Sequence, residues 1–398
     1  MRNHPQGRAQ PTIAAKPGRN GSDSTTIRAA LFPRQNAPAE VVELTLSAPG
    51  PGEVIVRIEA SGLCHSDLSA VDGTIPTRLP AVLGHEGSGI VEALGPGVAN
   101  VSPGQHVALS WAPYCGHCET CLRDLPHMCE HAGPAMFAGG LLDGTTRLSH
   151  HGQPVYHYSL ISSFAERAVV PAACCVPIPS DIPFPVAALV GCAVATGVGA
   201  VWRTAGVRPG ERVAVFGCGG VGMSAIMAAA ATGAAPIVAI DTRADKLETA
   251  LRLGATDVIE WSDEPGATSG AVRRASQTGV DYAFEATGRS EVMRAAFEST
   301  RARGAAVMIG IPAPDTILSI PALDVPRGER RVIGSLYGSV RPERDFPLLL
   351  DLYRASRLPL DELISHRLPL AEIETGMKLL QSGAAVRVVV EPNSDRSR

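Results

Sequence analysis

Four cysteines fall within fifteen residues, Cys115, Cys118, Cys121 and Cys129, with two, two and seven residues between them. Such a cluster could form two disulfides, hold an iron–sulfur cluster, bind zinc, or be a chance grouping. Bacterial ferredoxins close their motif with a three-residue gap and a proline. Here the last gap is seven and no proline follows Cys129. A closed tetrahedron of four thiolates tolerates a longer gap and leaves no position for water or substrate. The spacing therefore predicts a structural zinc on Cys115, Cys118, Cys121 and Cys129. His117, His127 and His131 are superfluous to such a site and are expected at the surface.

A second chemical signature is Gly217-Cys218-Gly219-Gly220-Val221-Gly222, a G-x-G-x-x-G match. The pattern alone is weak in a chain with 41 glycines. Its context is stronger: the strand-like "RVAVF" precedes it, an Ala-rich helical run follows, and Asp241 ends the next apolar run. Gly217 permits the tight turn, Gly219 lets the backbone approach a pyrophosphate, and Gly222 allows close packing of the helix. The free N–H groups of the helix start then face the phosphates. A carboxylate at Asp241 accepts from ribose hydroxyls and repels a 2′-phosphate, which favours NAD over NADP, although Arg243 two residues on opposes that preference.

These motifs need a scaffold. A chain of 398 residues has room for two domains, with three possible. From Thr26 to about Gly191, short β-branched runs alternate with Gly/Pro turns, and "VIVRIEA" alternates apolar with polar residues, so this part reads as mostly β. From about Ala193 to Leu336, strands such as "PIVAID", "DVIEW", "VDYAFEATG" and "GAAVMIGIP" alternate with helical patterns such as "RADKLETALRLG". That alternation predicts βαβ units and a parallel sheet. The last part, 337–398, combines a helical "DFPLLLDLYRAS" with a final "AVRVVVEP" strand. The expected fold class is α/β.

Composition excludes some functions. The net charge of −4 offers no basic stripe for nucleic acid. The apolar stretch Met223–Ile240 is broken by Gly233 and Pro236, so it reads as a buried helix and strand, and no membrane span is expected. The first 25 residues are polar, rich in Pro, Gly and Arg, and carry no apolar core of a secretory signal; they read as a disordered tail. The protein is expected in the cytoplasm, where nine cysteines, an odd number, argue for free or metal-bound thiols.

Other possible ligands, Cys64 in "GLCHSD", His85 in "GHEGSG" and Cys192 in "GCAVATG", are scattered, and spacing alone does not assemble them. Taken together, "GHEGSGIVEALGPGV", "CGHCETCLRDLPHMC", "GCAVATG" and "FGCGGVG" resemble, in order and separation, the zinc-dependent medium-chain alcohol dehydrogenases. The resemblance runs from about Arg28 to Pro392, and the long segment around the cysteine quartet is similar to class I and class III members. It implies a GroES-like catalytic domain (26–193 and 337–398) and a Rossmann doubly wound domain (194–336), two Zn²⁺ per subunit, NAD, a small-molecule alcohol or aldehyde substrate, and a homodimer or homotetramer.

By the same resemblance, Cys64, His85 and Cys192 hold a catalytic zinc, Glu86 sits behind it, Asp67 orients His85, and Ser66 handles the substrate proton. Thr196 and the start of its helix pack against the nicotinamide, while His65 and Arg387 contact the pyrophosphate. "GERRVIGSLYGS" leads into the subunit-pairing segment. Substrate-lining residues are expected on "AMFAGGLL" and around Tyr337. Two departures stand out. Ser69 occupies a position where relay-bearing members often carry His. The loop "VDGTIPTRLP" holds Asp72 alone, where glutathione-dependent formaldehyde dehydrogenases carry further acidic residues. The resemblance thus points to an alcohol dehydrogenase for primary or aromatic alcohols. A thiol-adduct formaldehyde dehydrogenase and a non-catalytic zinc- or nucleotide-binding protein are the alternatives.

Overall fold

The computed structural model describes residues 24–394. The predicted N-terminal tail lies outside them except for its last two residues, and Thr25 already opens the strand Thr25–Phe32.

The β-rich part holds two sheets. Thr25–Phe32, Glu40–Leu46, Leu148–His150, Gln153–His157 and Ala81–Val82 close into a small barrel. Beside it, a seven-stranded sheet runs Cys175–Pro177, His106–Leu109, Glu86–Leu94, Glu53–Leu63, Arg387–Glu391, Ile364–Pro369, with Arg167–Pro171 also paired to Glu53–Leu63. Residues of Glu53–Leu63 alternate buried and partly exposed from Val54 to Ala60, so Arg57 and Glu59 share the outer face. This sheet takes its last strands from the C-terminal part of the chain.

The second part is a six-stranded sheet, parallel throughout, in the order Asp257–Glu260, Ile237–Asp241, Val213–Phe216, Val280–Glu285, Thr300–Met308, Arg331–Gly334. This is the doubly wound 3-2-1-4-5-6 order, whose direction reverses beside the first strand. That strand, Val213–Phe216, is buried along its whole length, as a strand covered by helices on both faces must be.

A helical rod, Phe184–Ala205, joins the two parts. It is long and apolar enough to cross a bilayer by length and composition, yet 89% of its apolar window is buried inside the protein. Two stretches, Val190–Val194 and Ala200–Ala205, are wound as π-helix. Its glycines are close-approach points. A Cβ on Gly191 would lie 2.6 Å from the Leu109 carbonyl oxygen, and one on Gly197 would lie 2.2 Å from that of Val221. The rod therefore touches the His106–Leu109 strand on one side and the Gly220–Thr232 helix on the other.

Candidate functional site

Strand pairing brings the scattered residues together. Gly62 lies opposite Glu86 in the antiparallel ladder between Glu53–Leu63 and Glu86–Leu94, so the chain leaves the first strand at Cys64 beside His85. Gly62 has no Cβ, and one added there would meet the Glu86 carboxylate and its Cβ. Cys64 then caps the helix His65–Asp72, which ends at Gly73 with φ 86°. Cys192 arrives from the π-turn of the rod. One ligand atom from each of Cys64, His85, Glu86 and Cys192 lies within 4.8 Å of all the others, and all four residues are buried.

The surroundings orient this set. The fully buried Asp67 accepts from the Cys64 N–H at 2.9 Å and the Gly84 N–H at 3.3 Å, and its Oδ1 stands 3.2 Å from His85 Nδ1. A proton on Nδ1 directed at Asp67 leaves Nε2 free as a donor atom. Ser66 Oγ lies 3.8 Å from Cys64 Sγ. The Cys64 thiol is held well below its ordinary range, first by the Cys192 thiol, then by Arg387 and His85 against the effect of burial. Burial pushes the Glu86 carboxyl up to about 8, although Arg387 pulls it down.

The donor set suits zinc: two thiolate sulfurs, one imidazole and a buried carboxylate. Glu86 is telling. Arg387 Nη2 is 3.2 Å from its Oε1, yet neither carboxylate oxygen has a hydrogen-bond partner among the described residues. Arg387 offsets the cost of this buried carboxylate only in part, and a metal ion held by the two sulfurs and the imidazole would complete the compensation.

The cysteine quartet is likewise gathered. Cys115 Sγ lies 3.9 Å from Cys121 Sγ, and Cys118 Sγ lies 3.9 Å from Cys129 Sγ. A zinc–sulfur distance of about 2.3 Å gives tetrahedral sulfur–sulfur edges of about 3.8 Å. Bonded disulfide sulfurs would stand about 2.05 Å apart, and all nine cysteines are free. Backbone N–H groups of His117 and Cys118 donate to Cys115 Sγ at 3.5 and 3.3 Å, which holds that sulfur in place. His117 and His131 are exposed, but His127 is buried, tucked into the short helix Pro126–Met128. The surface placement expected for His127 is corrected accordingly.

The Gly-rich turn follows the Val213–Phe216 strand at the topological switch point. Gly217 takes φ 93°, a value open to glycine. A Cβ on Gly219 would meet no protein atom within 4 Å, whereas one on Gly222 would sit 1.8 Å from the Gly217 carbonyl oxygen. Gly219 thus borders open space, the cradle a pyrophosphate needs, and Gly222 locks the helix against the turn. Val221 is partly exposed on the first helical turn beyond Gly220. Asp241 accepts from the Cys218 N–H at 2.7 Å and the Arg243 N–H at 3.1 Å, with lone pairs left for ribose hydroxyls. Arg243 itself is turned into a two-pronged pair with Asp245, at 3.0 and 2.9 Å.

Arg387 links the two halves of the site. It is buried, with 3% of its surface exposed, and donates through Nη1 to the Leu63 carbonyl at 2.7 Å. A Cβ on Gly220 would stand 2.0 Å from its Nε, so the guanidinium lies against the first turn of the Gly220–Thr232 helix. The remaining candidates are less engaged. His65 is exposed at the first position of its helix. Thr196 is buried in the interior of the rod, four residues after Cys192; the start of its helix is at Phe184, because the π-turns carry the helix through the Gly-rich stretch without a break.

Two aromatic residues near the ligand set, Tyr158 and Trp111, had no motif to announce them. The Tyr158 ring meets His85 edge-on at 5.6 Å, and its hydroxyl donates to the Ser66 carbonyl at 3.0 Å. Trp111 packs 4.3 Å from Tyr337. The Tyr337 hydroxyl donates to the Gly191 carbonyl at 2.6 Å, and Ser110 Oγ lies 3.2 Å from its oxygen. Tyr337 is 2% exposed and pins the turn of the rod that carries Cys192.

Comparison with known proteins agrees with this geometry. Residues 50–180 match the family model "Alcohol dehydrogenase GroES-like domain", and residues 220–355 match "Zinc-binding dehydrogenase". An S-(hydroxymethyl)glutathione dehydrogenase of Escherichia coli is 36% identical over 365 residues, 91% of this chain and 99% of the relative. An alcohol dehydrogenase zinc-binding domain protein from Burkholderia ambifaria superposes with a TM-score of 0.88 at 34% identity, covering 93% of this chain and 99% of the other. The benzyl alcohol dehydrogenase of Acinetobacter calcoaceticus gives a TM-score of 0.87 at 32% identity, covering 92% and 99%.

Proposed function

The chain belongs to the zinc-dependent medium-chain alcohol dehydrogenase family, and we propose that it interconverts a primary, aromatic alcohol and its aldehyde with NAD. The observation that carries this reading is the convergence of Cys64, His85, Glu86 and Cys192 within 4.8 Å, tied through Arg387 to the start of the Gly-rich helix.

In this reading Cys64, His85 and Cys192 hold the catalytic zinc, and the Cys115 quartet holds a structural one. When bound, the ion at the first site supplies Lewis acidity to an alcohol oxygen, and the dinucleotide supplies a hydride acceptor. The residues of the chain do the rest. Asp67 fixes the His85 ring. Ser66 takes up the substrate hydroxyl proton. Gly217, Gly219, Gly220, Val221 and Gly222 shape the pyrophosphate cradle, to which Arg387 brings positive charge and His65 a ring N–H. Asp241 receives the ribose hydroxyls, and the Arg243–Asp245 pair keeps the nearby cation turned aside, which supports NAD over NADP. Thr196 lies beside the cofactor.

The aromatic preference is supported by the aromatic surroundings of the ligand set, with Tyr158 against His85 and Trp111 against Tyr337, whose hydroxyl holds the Gly191 carbonyl next to Cys192. A homo-oligomer is supported by the edge strand Arg331–Gly334, which has a sheet neighbour on one side and an exposed Val332. Nine free cysteines suit a reducing cytoplasm.

The test is NADH absorbance at 340 nm with benzyl, aliphatic and secondary alcohols, on the wild type and Cys64→Ala. Benzyl alcohol turnover that disappears in Cys64→Ala while NAD binding persists is the expected result. Retained turnover in the variant would remove Cys64 from the site. The 36% identity to S-(hydroxymethyl)glutathione dehydrogenases motivates a second arm. Formaldehyde oxidation that requires glutathione, without benzyl alcohol turnover, would replace the aromatic reading by the thiol-adduct one.

A further inference from the structure

The cysteine quartet has an unequal relation to solvent. Cys118, Cys121 and Cys129 are buried, whereas Cys115 is partly exposed. The exposed side of Cys115 is flanked by two imidazoles. Gly116 takes φ 77° with nothing within 4 Å of a Cβ, and this left-handed turn folds His117 back over its own loop. His131, contributed by the residue just ahead of the helix Ala132–Ala138, comes to the same spot. The two rings lie 5.1 Å apart at 56° to one another. One donor atom from each of Cys115, His117 and His131 falls within 4.8 Å of the other two.

We propose that Cys115, His117 and His131 form a further binding site for a borderline divalent cation of the zinc class, at the outer rim of the quartet and sharing the Cys115 sulfur with it. The chemistry is consistent at each donor. A thiolate keeps lone pairs after binding one metal ion, so its sulfur can bridge to a second. His117 Nδ1 sits 2.9 Å from the Cys115 carbonyl oxygen; with its proton directed there, Nε2 carries the free lone pair. Sulfur with two imidazole nitrogens is a ligand set that zinc-class ions accept, and a fourth position stays open to water. Both histidines are exposed, so the ion has a direct path from solvent, and small ring rotations close the remaining distance. The site shares only Cys115 with the structural ion and has no donor in common with the Cys64 set.

The test titrates the full-length protein, purified with its tightly held zinc and cleared of loose metal by a weak chelator, with Co²⁺ and separately with Zn²⁺. The proposal expects one equivalent of Co²⁺ beyond the retained zinc, with a thiolate-to-cobalt charge-transfer band in the near ultraviolet. His117→Ala and His131→Ala should each weaken that equivalent at least tenfold and abolish the band, with the retained zinc unchanged by native mass spectrometry. The proposal is overturned if no extra equivalent binds, if it survives both substitutions, or if it binds without the band, which would mean that imidazoles alone hold it. If the wild type retains fewer than two zinc ions, the zinc content of the proposed function fails on its own, because the His variants still report on the extra equivalent.

Discussion

The Arg387 guanidinium lies 3.2 Å from the Glu86 carboxylate, and both side chains are buried. The pair couples the ligand cluster of one domain to the helix start of the other. Burial pulls the Arg387 pKa down, but Glu86 and the Cys64 and Cys192 sulfurs together raise it further, so the guanidinium stays charged at every working pH. Removing one partner of a buried ion pair strands the other, at a cost of about 3–5 kcal/mol. Arg387→Met should lower the urea midpoint accordingly and weaken NADH binding at least tenfold by fluorescence titration, with Arg387→Lys intermediate. Unchanged dinucleotide affinity in Arg387→Met would detach this residue from the pyrophosphate.

The quartet and the Cys64 cluster should lose metal independently, because they share no donor. Cys129→Ser is expected to lower the zinc content by about one equivalent per chain and to expose the 115–129 lobe to proteolysis. Cys64→Ala should lose about one equivalent as well, but leave the lobe protected. Mass spectrometry with limited proteolysis separates the two outcomes, and a lobe cleaved equally in both variants would refute the independence.

Asp241 would perform two tasks at once, since the carboxylate proposed to receive the ribose hydroxyls also accepts the Cys218 N–H of the Gly-rich turn. Asp241→Ser should remove the repulsion towards a 2′-phosphate and shift the ratio of kcat/KM for NADP over NAD upward by about tenfold or more. It should also cost about 1–3 kcal/mol, because a turn N–H loses its acceptor. An unaltered cofactor ratio would show that Asp241 acts on the turn alone.

His157 provides a pH signature of the fold away from the site. It is buried, its Nε2 accepts from the Arg147 N–H at 3.2 Å, and its Nδ1 has no partner among the described residues. Burial, assisted by the Arg147 guanidinium, pushes its pKa down to about 3. The unfolded imidazole titrates near 6.5. Between these values the unfolded chain binds a proton that the native chain refuses, so stability is complete above about 6.5 and falls as the pH drops towards 3. Each pH unit across that window is worth at most about 1.4 kcal/mol. His157→Gln should flatten the dependence of the urea midpoint on pH between 4 and 6.5; an identical slope in wild type and variant would remove His157 as the source.

Much of the nucleotide-binding half was legible because its signals are local. "RVAVF", the glycines and Asp241 sit within one βα unit, and their spacing is set by the geometry of that unit. The four cysteines were equally readable for the same reason. Cys64, His85 and Cys192 were not, since their meeting depends on the Gly62–Glu86 register and on the approach of the rod at Gly191; only the resemblance to a family brought them together. The rod itself was hidden in "FPVAALVGCAVATGVGAVWRTA", whose valines and glycines are poor helix formers, so packing and not propensity decides its conformation. Tyr158 carries no sequence signal at all. It reaches His85 because the barrel strand Gln153–His157 ends beside it.

Helix Phe184–Ala205 carries Cys192 and Thr196 on adjoining turns of one continuous backbone. One helical turn is therefore a fixed ruler: any movement between the two parts that keeps the rod intact leaves the separation of Cys192 and Thr196 unchanged.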